Sequence, residues 1–161
     1  RNAPTIAYSA FIPAFHRNDR GQYIGGQFLD GRAATLEDQA AGPPLNPIEM
    51  GLTDEAKLIE RLRENPAYVQ EFSKIFGADI WQDEPAAFEA MTQAIASYLR
   101  TDEFAPFDSR YDRFLSGDEP LSAQEEQGRT LFFDPQSSNC SGCHVLHETP
   151  GHVQETFTNY R

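Results

Sequence analysis

The apolar positions of the chain change character near residue 53. Before it they stand singly among Gly, Pro and polar side chains, and "GQYIGGQFLDGRAATLEDQAAGPPLNPIEMG" holds too many turn residues for continuous helix or strand. Only "AATLEDQAA" within it reads as a short helix. From Thr53 the spacing turns helical. Thr53 is placed to cap a helix whose first turn carries Asp54 and Glu55, with Leu58, Ile59 and Leu62 repeating along one side. Asn65-Pro66 ends that helix and opens a second, on which Val69, Phe72, Ile75 and Phe76 share a face until Gly77 stops it. A third follows "DEP", with Phe88, Met91, Ile95, Tyr98 and Leu99 as its apolar stripe. Stripes at this spacing predict core.

The segment "TDEFAPFDSRYDRFLSGDEPL" breaks the pattern and reads as a bridge. Ser122 then forms a capping box with Glu125, and "AQEEQGRTLFFD" continues as a helix toward the only two cysteines of the chain. Gly128 inside it costs about 1 kcal/mol relative to Ala, which predicts a close-packing reason for its presence. No internal repeat, low-complexity tract or useful strand-period segment is present. The expected fold is all-α with a loop-rich N-terminal segment.

Composition adds constraints on class and partner. With 161 residues, 39% of them apolar and 24% charged, the chain has the makings of one soluble globular core. Thirteen basic against 25 acidic residues give a net charge of −12, which disfavours nucleic-acid backbones and anionic lipid surfaces and favours a basic or dipolar partner. No apolar run is long enough to span a membrane. The start "RNAPTIAYSAF" has neither an initiating Met nor a signal-peptide core, so it reads as a mature or excised piece, and the missing signal does not argue for the cytoplasm.

The cysteines lie in "SSNCSGCHVLHE", as Cys140, Cys143 and then His144, the C-x-x-C-H spacing. A thioredoxin-like dithiol needs a strand feeding the motif, whereas a capped helix and the loop "DPQSSN" precede it. A structural zinc site would take Cys140, Cys143 and two of His144, His147 and His152, yet Cys143 and His144 are adjacent and poorly spaced to share one small tetrahedral ion. Covalent haem c uses every element: two thiols for the two vinyl groups, and a following imidazole for the iron. Leu131, Phe132, Phe133 and Val145 flank the motif as its apolar surroundings. Haem of this type is attached outside the cytoplasm, so this reading implies a periplasmic location. His16 reads as solvated, and Trp81 as an anchor at a helix junction.

The ordered set "RNAPT", "GGQFLDGRAATLEDQA", "NPIEM", "LFFDPQSSNCSGCH" and "ETFTNYR" resembles the bacterial dihaem cytochrome c peroxidase and MauG family over most of the chain. The resemblance implies cytochrome c-like haem domains, a peroxidatic haem in the N-terminal half and an electron-transfer haem in the C-terminal half. On that plan this is an interior segment. Residues 1–52 would be a loop-rich part of the peroxidatic domain, 53–107 would complete or bridge it, and 108–161 would begin the C-terminal haem domain. Cys140 and Cys143 would then carry the electron-transfer haem with His144 as its axial ligand, a second haem c being expected in the parent.

The resemblance also makes Glu49 the acid-base carboxylate and Gln39 the amide of a peroxide pocket. Moving a proton from one peroxide oxygen to the other suits a carboxylate, and orienting the peroxide suits an amide. Asn2 matches a calcium-binding position, with a helix N-cap as the competing reading. Leu29 stands where many family members have Trp, and an aliphatic side chain cannot relay a radical. The implied activity is reduction of hydrogen peroxide to water with electrons from a small cytochrome c or cupredoxin. The alternatives are a monohaem electron carrier without turnover, a MauG-like dihaem oxidase, and a zinc-stabilised interaction module; a homodimer is compatible with the resemblance.

Overall fold

The computed structural model describes residues 3–142 and 144 of the chain. The expectations attached to Asn2, Cys143, Val145, His147 and His152 lie outside the described residues. Six α-helices carry the described fold: α1 (Leu36–Leu45), α2 (Glu55–Arg63), α3 (Pro66–Phe76), α4 (Glu84–Leu99), α5 (Arg110–Leu115) and α6 (Ala123–Phe133). The extended backbone elements are two-residue strands, β1 (His16–Arg17) and β2 (Tyr23–Ile24), paired antiparallel with His16 opposite Ile24. The all-α expectation therefore holds.

Local sequence chemistry sets most helix ends. Asn65 accepts from the Ala67 amide ahead of Pro66, whose fixed φ suits a first helical position, and Gly77 at φ 103 ends α3. Asp83 caps α4, and Ser122 with Glu125 forms the expected box on α6. Other starts differ from expectation. The cap of α2 is Asp54, whose carboxylate accepts from the Lys57 amide at 2.8 Å while Thr53 donates its hydroxyl to Asp54, because a charged acceptor makes the stronger bond. The bridge hides α5, started by a second capping box between Ser109 and Asp112. The S-x-x-D signal for it is in the sequence.

The core lies where α2, α3 and α4 meet, around Leu58, Ile59, Trp81, Ala87, Phe88 and Met91. Each large apolar side chain buried there contributes about 1.5–3 kcal/mol. Trp81 is the expected anchor: buried, stacked on Phe72 at 5.1 Å, and donating its indole N–H to the Val69 carbonyl and Ser73 hydroxyl at 3.2 and 3.1 Å. The α4 stripe is corrected. Ile95 and Tyr98 are exposed, Tyr98 by 54%, and the buried face is Ala87, Phe88, Ala90, Met91, Thr92, Ala96 and Leu99. Small alanines let α1 and α2 lie close against α4, turning large neighbours outward. On α3, Val69 and Phe72 pack on the core, whereas Ile75 is 67% exposed.

The α1–α4 contact fixes the loop-rich segment to the helices. Leu36 of α1 joins Ala96 and Leu99 of α4 in a second cluster, with Phe104 against it. Arg100 donates to both carboxylate oxygens of Glu37, at 2.6 and 3.1 Å. Hydrogen bonding by the Arg100 side chain holds the Glu37 carboxyl below its usual range. A lowered carboxylate pKa gives stability that is present above the unfolded pKa and lost as pH falls through the folded one. Because the pair is partly exposed, Glu37→Gln is expected to cost only about 0.2–1 kcal/mol near neutrality. Urea titrations near neutrality and in acid should show this cost fading as pH falls through the lowered Glu37 range; a cost that persists in acid would assign it to packing.

Candidate functional site

The segment that sequence reading left as loop is closely determined. Gly26 donates its amide to the Pro13 carbonyl at 2.9 Å, Gln27 to Ala33 at 2.7 Å, and Phe15 to Ala34 at 3.1 Å. Gly25, at φ 75, has no alternative residue type, since a Cβ there would sit 2.0 Å from the Pro13 oxygen. Phe28 adopts φ 65, a left-handed conformation that is costly for an aromatic residue. Its ring is held between the Arg32 guanidinium, 3.8 Å from the ring centroid, and Gly42, where an added Cβ would come within 3.2 Å of Cζ. Leu29, beside it, is 66% exposed.

The first helix carries Gln39 to the same place. Thr35 and Asp38 form a capping box that starts α1 at Leu36, three residues after the expected beginning of the helix. It then runs through Pro43 and Pro44, which sequence reading had treated as breakers. The turn after α1 returns on the helix end. Met50 and Leu52 donate their amides to the carbonyls of Pro43 and Pro44, and Glu49 and Gly51 donate to that of Asn46. The Asn46 side chain accepts from the Ile48 amide at 3.2 Å. Glu49 is thereby pinned in a short turn, exposed, one connection away from Gln39.

Gln39 and Glu49 meet in the wall of one cleft of about 580 Å3. Its wall is mostly apolar, with Ile6, Ile12, Phe28, Leu29, Leu36, Ile48 and Leu99, and it also contains Ser9, Gln27 and Arg32. Glu49 further borders a smaller cavity of about 290 Å3 with Phe28, Arg32, Asp38 and Asn46. A large apolar cleft with a few convergent polar groups is the form expected of a small-molecule or cofactor site. Sequence reading missed Ser9, Gln27 and Arg32. No spacing distinguishes them from ordinary polar residues.

The cysteine motif forms a second place. Asp134 organises the approach: its carbonyl accepts from the Ser137 and Asn139 amides and its side chain from Gln136. Cys140 opens a 3-10 turn, Cys140–Gly142, and the His144 amide donates to the Cys140 carbonyl at 2.8 Å. That bond spans one helical turn, placing Cys140 and His144 on the same side of the backbone. Cys140 is half-buried, with its thiol against the Ser138 carbonyl, and His144 is exposed. Thiol and imidazole are the donor types haem c requires.

A cavity of about 390 Å3 lies along α6, between Leu121, Gly128, Phe132 and Phe133 and the α5 residues Arg110 and Tyr111. Phe132 and Phe133 line it, whereas Leu131 is exposed and does not. The close packing expected at Gly128 is not made by the described residues: beyond its own helix none lies within 4 Å of where a Cβ would stand, and the residue borders this cavity. His16 is exposed, with its ring nitrogen against the Ala14 carbonyl at 2.8 Å. Among the described residues no group of three or more His, Cys, Asp or Glu could hold a metal ion, and no helix is long and apolar enough to cross a membrane.

Residues 1–120 match the family described as di-haem cytochrome c peroxidase. The chain is 46% identical over 160 residues to the methylamine utilization protein MauG of Paracoccus denitrificans (strain Pd 1222), covering 99% of this chain and 41% of that protein. It is 38% identical over 148 residues to the cytochrome c peroxidase Ccp of Escherichia coli (strain K12), covering 90% of this chain and 27% of that protein. The crystal structure of the diheme peroxidase BthA from Burkholderia thailandensis E264 superposes with a TM-score of 0.84 at 36% identity, covering 92% of this chain and 36% of that one. The chain thus spans less than half the length of these relatives.

Proposed function

The chain belongs to the di-haem cytochrome c peroxidase family, and from that premise we propose that it is the part of a periplasmic dihaem peroxidase that walls the peroxide pocket of one haem and attaches the other. Residues 1–52 supply the loop-rich wall of the first-haem domain, 53–107 brace it, and 108–161 begin the second. The observation that carries this reading is the convergence of Gln39 and Glu49 on one largely apolar cleft. Cys140 and Cys143 would hold the second haem through thioethers, and His144 would supply an imidazole to its iron. When bound, haem supplies reversible one-electron storage and a site that activates peroxide.

The residues do the rest. Gln39 orients the peroxide through its amide, and Glu49 takes a proton from one peroxide oxygen and delivers it to the other as the O–O bond breaks. Hydrogen peroxide takes up two electrons and two protons and leaves as two waters. The electrons come from a small donor, a cytochrome c or a cupredoxin, whose basic or dipolar face suits the net charge of −12. Asn2 is the chain's candidate ligand for a calcium ion, through its side-chain oxygen.

A second reading, a MauG-like oxidase, is favoured by the 46% identity to a protein of that name and opposed by Leu29, which cannot carry a radical. The test uses the purified full-length protein. A pyridine haemochrome spectrum with intact mass should show covalent c-type haem, and peroxide should oxidise two equivalents of a reduced small cytochrome. Covalent haem without donor oxidation would favour the oxidase or a simple carrier; absence of covalent haem would refute the reading.

A further inference from the structure

Three polar residues are buried among the described residues: Ser9, Gln27 and Thr92. Thr92 is accounted for, since its hydroxyl donates to the Glu89 carbonyl at 2.8 Å within α4. The other two stand together. Ser9 and Gln27 are 5% and 6% exposed, and both belong to the wall of the cleft that holds Gln39 and Glu49. The Ser9 hydroxyl oxygen has no hydrogen-bond partner among the described residues. Gln27 Nε2 donates to the Ser9 carbonyl at 3.5 Å, the outer limit of such a bond.

Their backbones are held independently. Ser9 begins a 3-10 turn, Ser9–Phe11, while Gln27 is fixed by the hydrogen bond its backbone amide donates to the Ala33 carbonyl. A buried hydroxyl without a partner carries a desolvation penalty that packing alone does not return. In a cleft wall that is otherwise mostly apolar, the pairing of such a hydroxyl with a weakly engaged amide points to a ligand.

We infer that Ser9 and Gln27 form a niche for one small neutral hydroxylic molecule, water in the resting protein and hydrogen peroxide during turnover. A hydroxyl offers one donor and two acceptor positions and an amide offers both kinds, which matches a ligand that both donates and accepts. An anion is a poor occupant, because neither residue carries charge and burying an uncompensated anion is costly. Arg32, the guanidinium in the same wall, is paired with Asp30 at 2.9 Å and lies over the Phe28 ring. The niche rests on the geometry of the cleft, and its use by peroxide rests on the peroxidase reading above.

The test compares haem-loaded full-length wild type with Ser9→Ala and Gln27→Met. High-resolution crystals of the wild type should show an ordered oxygen within hydrogen-bond distance of Ser9 Oγ, lost in Ser9→Ala. The melting temperature of Ser9→Ala should fall by about 2–4 °C, the direction opposite to that for deleting an orphaned hydroxyl. The KM for hydrogen peroxide should rise about fivefold in both variants, the equivalent of one hydrogen bond, with kcat little changed. A wild type without that oxygen, or a Ser9→Ala protein as stable as or more stable than wild type, overturns the niche. An unchanged KM with the other two results obtained overturns its use by peroxide. A wild type that does not turn over peroxide refutes the peroxidase reading, while the crystals and the melting temperature still decide the niche.

Discussion

Glu49→Gln is expected to lower peroxide turnover by about 10²–10⁴-fold, the usual contribution of a positioned acid-base group. The substitution keeps the size of the side chain and removes its capacity to carry a proton. Glu49 stands in an exposed turn whose amides are bonded to Asn46, Pro43 and Pro44, none of which involves the carboxylate. Stability and haem content should therefore stay at wild-type values while kcat and kcat/KM fall together, the signature of a group used only as the reaction proceeds. Gln39→Ala should do less and should raise KM as well, because orienting a substrate affects its binding. The measurement is peroxide-dependent oxidation of a reduced cytochrome, with urea unfolding as control. Turnover within about twofold of wild type in Glu49→Gln would remove Glu49 from proton transfer and leave the cleft as a binding surface.

Cys140→Ala is expected to abolish double thioether attachment at this motif. Haem retained on the C-terminal half would be held by Cys143 alone, so the haemochrome α-band should move to longer wavelength because one vinyl group stays unreacted, read beside haem per protein and intact mass. Each thioether is a covalent bond, so its loss is all-or-none per molecule and differs in kind from a graded change in affinity. His144→Ala tests the other donor. It leaves both thiols and should shift the axial-ligand spectrum more than the mass. Full covalent haem in Cys140→Ala with an unshifted α-band would show that this thiol makes no thioether.

Much of this was legible in the chain itself. The caps at Asn65, Asp83 and Ser122 are local, each a side-chain oxygen meeting amides two or three residues away, so a short window of sequence contains the whole interaction. The same holds for Cys140 and His144, whose chemistry depends on spacing along one turn. Reading failed where distant partners decided. Ile95 and Tyr98 have the right period for core, but α4 turns its alanines toward α1 and α2. Pro43 and Pro44 look like breakers in isolation, yet their carbonyls take up the amides of Met50 and Leu52 and the helix end persists.

What the sequence by itself determined is the helical class, the helix ends with local caps, the C-x-x-C-H spacing and, through the resemblance, Gln39 and Glu49 as candidates. Only the tertiary structure decided that those two share a cleft, that Phe28 and Gly25 hold its loop in conformations few residues tolerate, and that Ser9 and Gln27 are buried in its wall. The reason is range. Caps and ligand spacings are set by neighbours along the chain, whereas burial of a serine hydroxyl depends on segments far apart in sequence, and their meeting is decided by the packing of the whole fold.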